Sequence, residues 1–234
     1  IAFAVFAAVP AVAEDSDAYT INSGAPVTST TEDISSDADL LKLADANGII
    51  TVGANGLTLN LEGDIGKTSP VNVSFILNGD LTVKSDDAAT QPYMFNITSD
   101  RIVATLNSNN YVALFFYNAD GKNVVFDNIT ATIDVNKATA DTKSAALFNS
   151  QYYSSNNAYG VTATFKVVDS AVTLKTSSRQ SSWLASQDTN DTTKMILNNS
   201  SLVFDGTAGF MDTQVVTEGG KPVSIEMIDV QVGL

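Results

Sequence analysis

The sequence predicts an all-β protein built as a solenoid, and three observations carry that expectation. A unit of two short apolar runs around an Asn or Asp recurs along the chain; each copy is followed by a polar loop and a third apolar run; and a short amphipathic helix precedes the first strands. Four copies are clear. Phe126-Asp127-Asn128-Ile129 leads to Ile133, Val167-Val168-Asp169-Ser170 to Leu174, Leu197-Asn198-Asn199-Ser200 to Phe204, and Met227-Ile228-Asp229-Val230 to Val232. The anchors Asn128, Asp169, Asn199 and Asp229 are separated by 41, 30 and 30 residues, within the period that marks stacked repeats. Leu77-Asn78-Gly79-Asp80-Leu81 and Leu106-Asn107-Ser108 read as weaker copies.

The first thirteen residues, IAFAVFAAVPAVA, are apolar and end in Ala11-Val12-Ala13 directly before Glu14 and Asp15. That pattern predicts the hydrophobic part of a secretory signal peptide, cut after Ala13. Residues 14–36 are rich in Ser, Thr and Asp without a sustained period and are expected as an extended lead-in. Asp37 to Ala46 is expected as a helix: Ser36 offers an N-cap, Asp37 and Asp39 place carboxylates in the first turn, and Leu40, Leu41, Leu43 and Ala44 form an apolar face. Asn47-Gly48 supplies the stop. Ile49–Val52 and Leu57–Leu61 then alternate like strands around Ala54-Asn55-Gly56, so the helix would plug the open end of the solenoid. Residues 37–234 are expected to form one domain that continues past the last residue given.

After each anchor a third apolar run follows: Tyr93-Met94-Phe95, Leu114-Phe115-Phe116-Tyr117, Ala146-Leu147-Phe148, Trp183-Leu184-Ala185 and Gly209-Phe210-Met211. Three strands per turn is the simplest assignment. The turn beside the Asn or Asp stays nearly constant in length, while the loop between the second and third strands varies. A β-sandwich is the alternative, since short strands with regular turn signals occur there too, but it does not account for the leading helix or the repeated anchor.

The helix running into LLKLADANGIITVGANGLTLNL, with the later NVVFDNITATI, VVDSAVTL and ILNNSSLVF units, resembles the right-handed parallel β-helix, or pectin-lyase-like, superfamily. It is most similar to the adhesin-like cell-surface members of bacteria and methanogenic archaea. The resemblance implies a secreted or cell-surface, non-catalytic module that presents loops on a rigid scaffold. Glycans or surface proteins would be its partners.

Composition narrows the chemistry. Twelve basic residues stand against 26 acidic ones, a net charge of −14, which disfavours nucleic acid as a partner. The absence of cysteine removes disulfides and thiolate metal sites, and the absence of histidine removes triads and imidazole ligands. No later segment is apolar for long enough to span a bilayer as a helix, so no membrane insertion is expected after signal cleavage.

Polysaccharide-cleaving enzymes of the resembled superfamily supply the enzymatic alternative, a calcium-assisted lyase. The resemblance would require Arg101, Arg179, Lys166, Lys175 or Lys194 beside an acidic pair: Asp86-Asp87, Asp188 with Asp191, or Asp205 with Asp212. No spacing singles one out. No cofactor is expected, and weak calcium binding is the only ion contact these acids leave open. A further alternative is a self-assembling surface subunit that pairs through the final segment, Pro222 to Leu234.

The loop Tyr152-Tyr153-Ser154-Ser155-Asn156-Asn157-Ala158-Tyr159 places three tyrosines among small polar residues, and Tyr152, Tyr153 and Tyr159 are the candidate ligand contacts. Asn128, Asp169, Asn199 and Asp229 are expected as a structural turn ladder, because Asn and Asp tolerate left-handed backbone. Six glycosylation sequons start at Asn72, Asn96, Asn128, Asn190, Asn198 and Asn199, where composition alone supplies about four.

Overall fold

The structure is a computed structural model that describes residues 20–97, 101–106, 109–135, 142–149, 162–176, 181–185, 192–206, 213–217 and 224–228. Its strands form three sheets. Sheet B holds β2 (Thr31–Ser36), β4 (Leu57–Asp64), β7 (Leu81–Lys84), β11 (Lys122–Asp127), β14 (Thr162–Val168), β17 (Thr192–Asn198) and β19 (Thr213–Thr217). Sheet C holds β5 (Val71–Asn72), β8 (Tyr93–Ile97), β12 (Thr130–Val135), β15 (Ala171–Thr176), β18 (Ser201–Gly206) and β20 (Ser224–Ile228). Sheet A holds β1 (Thr20–Ile21), β3 (Ile49–Val52), β6 (Ser74–Leu77), β9 (Ile102–Leu106), β10 (Asn109–Tyr117), β13 (Thr142–Asn149) and β16 (Ser181–Ala185).

From β4 to β18 the chain visits B, C and A in rotation, with β9 as the one extra strand. From β7 onward each strand but β9 pairs in parallel with its counterpart from the turn before. Antiparallel pairing, which a sandwich requires throughout, is confined to β1–β9 and β9–β10 among the described strands. The protein is therefore all-β with mostly parallel sheets.

Parallel register turns the sequence repeat into columns. Leu59 aligns with Val83, Val83 with Phe126, Phe126 with Val167 and Val167 with Leu197, all buried. Ile50, Phe75 and Phe115 make a second column, and the Phe75 and Phe115 rings stack at 5.7 Å. Alternation explains this outcome, because residues two apart share a face and parallel register keeps equivalent residues on it from strand to strand.

The lead-in takes part in the sheets. β2 pairs with β4, and β1 pairs antiparallel with β9. Edge strand β2 carries Glu32 and the exposed Asp33, charges of the kind that discourage unwanted strand addition. Sequence periodicity missed both strands because β1 has two residues and TEDISS has only Ile34 buried.

α1 (Asp37–Lys42) occupies the place between sheets B and A that a sheet C strand takes in later turns. The Ser36 hydroxyl accepts from Asp39 N at 3.3 Å, as expected of an N-cap. The helix is shorter than Asp37–Ala46. Leu43 N and Ala44 N donate to Leu40 O and Leu41 O in a tightened last turn, and Asp45 Oδ1 then captures Asn47 N and Ile49 N. The predicted apolar face also needs correction. Leu40 is buried and Leu43 and Ala44 pack partly against the core, but Leu41 is 42% exposed, since adjacent helical residues point about 100° apart.

Tyr93-Met94-Phe95, expected as a third strand, lies in β8 of sheet C. Two insertions mislead the count here: the Ser85–Pro92 loop before β8, and β9 after it. Of the weaker copies, Asn78-Gly79-Asp80 turns the chain from sheet A into sheet B, and Leu106 ends β9 before the antiparallel return into β10. Gly79 is required at its turn, because a Cβ there would sit 2.2 Å from the Gly53 carbonyl oxygen. Gly209-Phe210-Met211 lies outside the described residues.

A second apolar cluster joins Ile49 of β3, Ile76 of β6 and Tyr111, Ala113 and Phe116 of β10 to Val103 and Ala104 of β9, with Ile21 of β1 against it. Sheet A is thus buried on both faces of β3, β6 and β10. That is why these strands read as continuous apolar runs.

Burial, with a smaller contribution from Asp80, raises the Tyr117 phenol well above its ordinary value, and its hydroxyl donates to Thr164 O at 3.0 Å. A raised folded-state value favours the neutral phenol, so its stabilisation is complete below the unfolded value of about 10 and is lost as pH rises beyond it. The denaturation midpoint of the native chain is expected to fall between about pH 10 and pH 11. Tyr117→Phe should fall less over the same range, and equal slopes would contradict the assignment.

Candidate functional site

The corner between sheets B and C carries the predicted anchors. Asn128 follows β11, Asp169 follows β14 and Asn199 follows β17, with φ of 54°, 46° and 50°. Left-handed backbone is costly for most side chains and tolerated by Asn and Asp, which is why these types recur. Asn199 Nδ2 donates to Asp169 Oδ1 at 2.6 Å, and Asn128 Nδ2 donates to Ser85 O at 2.6 Å. Asp229 lies outside the described residues. The strand before it, β20, belongs to sheet C, whereas the strands before the other three anchors belong to sheet B.

A partner ladder of serines went unnoticed in the sequence. Ser170 Oγ accepts from Ile129 N at 2.9 Å, and Ser200 Oγ accepts from Ser170 N at 3.1 Å, both buried. The signal was available as a Ser one position after Asp169 and Asn199. Ser170→Ala leaves the Ile129 amide without this partner and is expected to cost about 1–3 kcal/mol in chemical denaturation. A loss below about 0.5 kcal/mol would show that the amide finds another acceptor.

One turn earlier the same corner opens. Between β7 and β8 the chain runs through the loop Ser85–Pro92 and leaves a groove of about 300 Å³ lined by Asn60, Leu61, Glu62, Lys84, Ser85, Asp86 and Asp87. The loop is held at both ends. Ser85 Oγ donates to Leu61 O at 2.7 Å and lies 2.7 Å from the Tyr93 hydroxyl, which also meets Thr90 Oγ1 at 2.8 Å. Asp87 Oδ1 accepts from Ala89 N at 2.9 Å, and Gln91 clamps the next turn by donating to Asn128 O and accepting from Thr130 N.

Register places Lys84 opposite Asn60 on one side and Asp127 on the other. Asn60 Nδ2 donates to Asp33 Oδ1 at 2.7 Å, while Asn60 Oδ1 is buried without a hydrogen-bond partner among the described residues. The groove therefore offers an amine, carboxylates and a carboxamide to a polar ligand. Ser85 offers little to reaction chemistry, since it is buried and its hydroxyl is already bonded.

The other sequence candidates do not meet here. Arg101 reaches backbone elsewhere, with Nη1 donating to Asn47 O at 2.7 Å and Nε to Asn72 O at 3.3 Å. Lys175 aligns with Asp134 and Asp205 across sheet C, and Lys166 and Lys194 lie on sheet B. Arg179, Asp188, Asp191, Asp212, Tyr152, Tyr153 and Tyr159 lie outside the described residues. Among the described residues no group of three or more acidic side chains is placed to hold a metal ion, and no helix is long and apolar enough to cross a membrane. Lys84, which lines the groove together with Asp86 and Asp87, was not among the residues singled out by sequence.

Comparison with protein-family models, with curated proteins and with solved structures finds no match.

Proposed function

We propose that this chain is a right-handed parallel β-helix of the pectin-lyase-like kind, acting as a non-catalytic module of a secreted or cell-surface protein. The rotation of the chain through three mostly parallel sheets is the single observation that carries this reading. Stacked turns make a stiff rod whose loops vary without disturbing the core. Its loops meet glycans or surface proteins, and Tyr152, Tyr153 and Tyr159 are the candidate contacts.

A calcium-assisted lyase is the second reading, favoured by Lys84 beside Glu62, Asp86 and Asp87 in one groove. Reducing-end release from acidic and neutral polysaccharides by purified Glu14–Leu234, with and without calcium, separates the two. The module reading expects no release under either condition. It also expects glycan-array binding that is lost, at unchanged melting temperature, when Tyr152, Tyr153 and Tyr159 are replaced by Ala. Calcium-dependent release that disappears in Lys84→Ala would overturn it in favour of the lyase.

A further inference from the structure

We propose that the groove beside the Ser85–Pro92 loop binds a saccharide carrying a free amine, an inference that rests on the module reading and names a glycan class for it. The groove's volume of about 300 Å³ lies at the lower end of small-ligand pockets and suits a short glycan segment. Its charge selects among sugars. Glu62, Asp86 and Asp87 set three carboxylates against the single ammonium of Lys84. A bound ligand takes these groups out of water, and a carboxylate desolvated without a cation is costly. A neutral sugar leaves the surplus uncompensated, and a uronate adds to it. An amino sugar brings the missing cation, together with hydroxyls that donate to carboxylates and accept from Lys84. Asn60 adds to the demand for donors: Asp33 Oδ1 holds its Nδ2, and its Oδ1 is a buried acceptor that no described group satisfies. The wall is already built, since hydroxyl contacts join Ser85, Tyr93 and Thr90 and Gln91 donates to Asn128 O, so binding spends little on ordering the loop.

Titration calorimetry of the purified chain in EDTA tests this with glucosamine oligomers, their N-acetylated form and galacturonate oligomers. The amine form is expected to bind, the N-acetylated form about tenfold more weakly, and the uronate not at all. Glu62→Gln combined with Asp86→Asn, both at exposed positions, should weaken binding of the amine form about tenfold at unchanged melting temperature. Replacing Tyr152, Tyr153 and Tyr159 by Ala should leave it intact. Failure of the amine form to bind, equal affinity for its N-acetylated form, unaltered affinity in the double variant, or equally tight binding of a lysine oligopeptide would each overturn the assignment. Reducing-end release bears on the module reading alone, so the two fail separately.

Discussion

Phe115→Ala is expected to destabilise the protein by about 3–5 kcal/mol, the range for removing a buried aromatic ring from a packed core. Phe115 is where the aromatic packing converges. Its ring stacks on Phe75 at 5.7 Å and on Phe165 at 6.4 Å, and meets Phe126 edge-on at 6.2 Å. Phe126 and Phe165 belong to sheet B, so one ring joins the walls of two sheets. The surroundings cannot collapse into the space, because β10 is held on one side by β6 and on the other by β13. Guanidinium denaturation of the variant checks the size. Phe115→Leu keeps most of the volume and should recover more than half of the loss, and a loss below about 1 kcal/mol in Phe115→Ala would contradict the central placement of the ring.

Leu40→Asp carries the second large effect, about 3–5 kcal/mol, because it places an unpaired carboxylate at a fully buried position. Leu40 shares the lining of an apolar gap with Leu59, Leu61, Phe75, Phe95 and Phe115, at the point where α1 replaces a strand of sheet C. Losing the helix would open the end of the core and the edges of the first strands, so light scattering should rise together with the fall in stability. Leu41→Asp is the control. That side chain is exposed, and the substitution should leave both readings nearly unchanged. Aggregation of both variants alike would sink the capping role of Leu40.

The same cap responds to acid. Lys42, followed by the Ser35 and Ser36 hydroxyls, holds the Asp39 carboxyl well below the usual carboxylate range. A depressed value means that its contribution is present above the unfolded value and is lost as pH falls through the folded one. The group is at the surface, so the contribution is small and weakens further with salt.

Much of the fold was legible because parallel stacking repeats its demands at each turn. Asn128, Asp169 and Asn199 stand out since each must turn the chain with left-handed backbone, and Phe126, Val167 and Leu197 stand out since each fills the same column. What failed to show was whatever departed from the repeat. The Ser85–Pro92 loop and β9 shifted the strand count, so Tyr93 was assigned to the wrong strand of its turn. The groove was illegible for a related reason. Asn60 and Lys84 lie 24 residues apart, and Asp33 reaches the same face from a strand with almost no apolar signal.

By itself the sequence determined an all-β chain, the position of the helix, and the residues of the B–C corner, because these follow from local backbone chemistry and from period-two burial. Only the tertiary structure decided that strands pair in parallel, that α1 stands in for a strand of sheet C, and that Arg101 donates to the carbonyls of Asn47 and Asn72. Strand partners, and contacts between residues 29 and 54 positions apart, depend on how turns stack. No local pattern encodes that stacking.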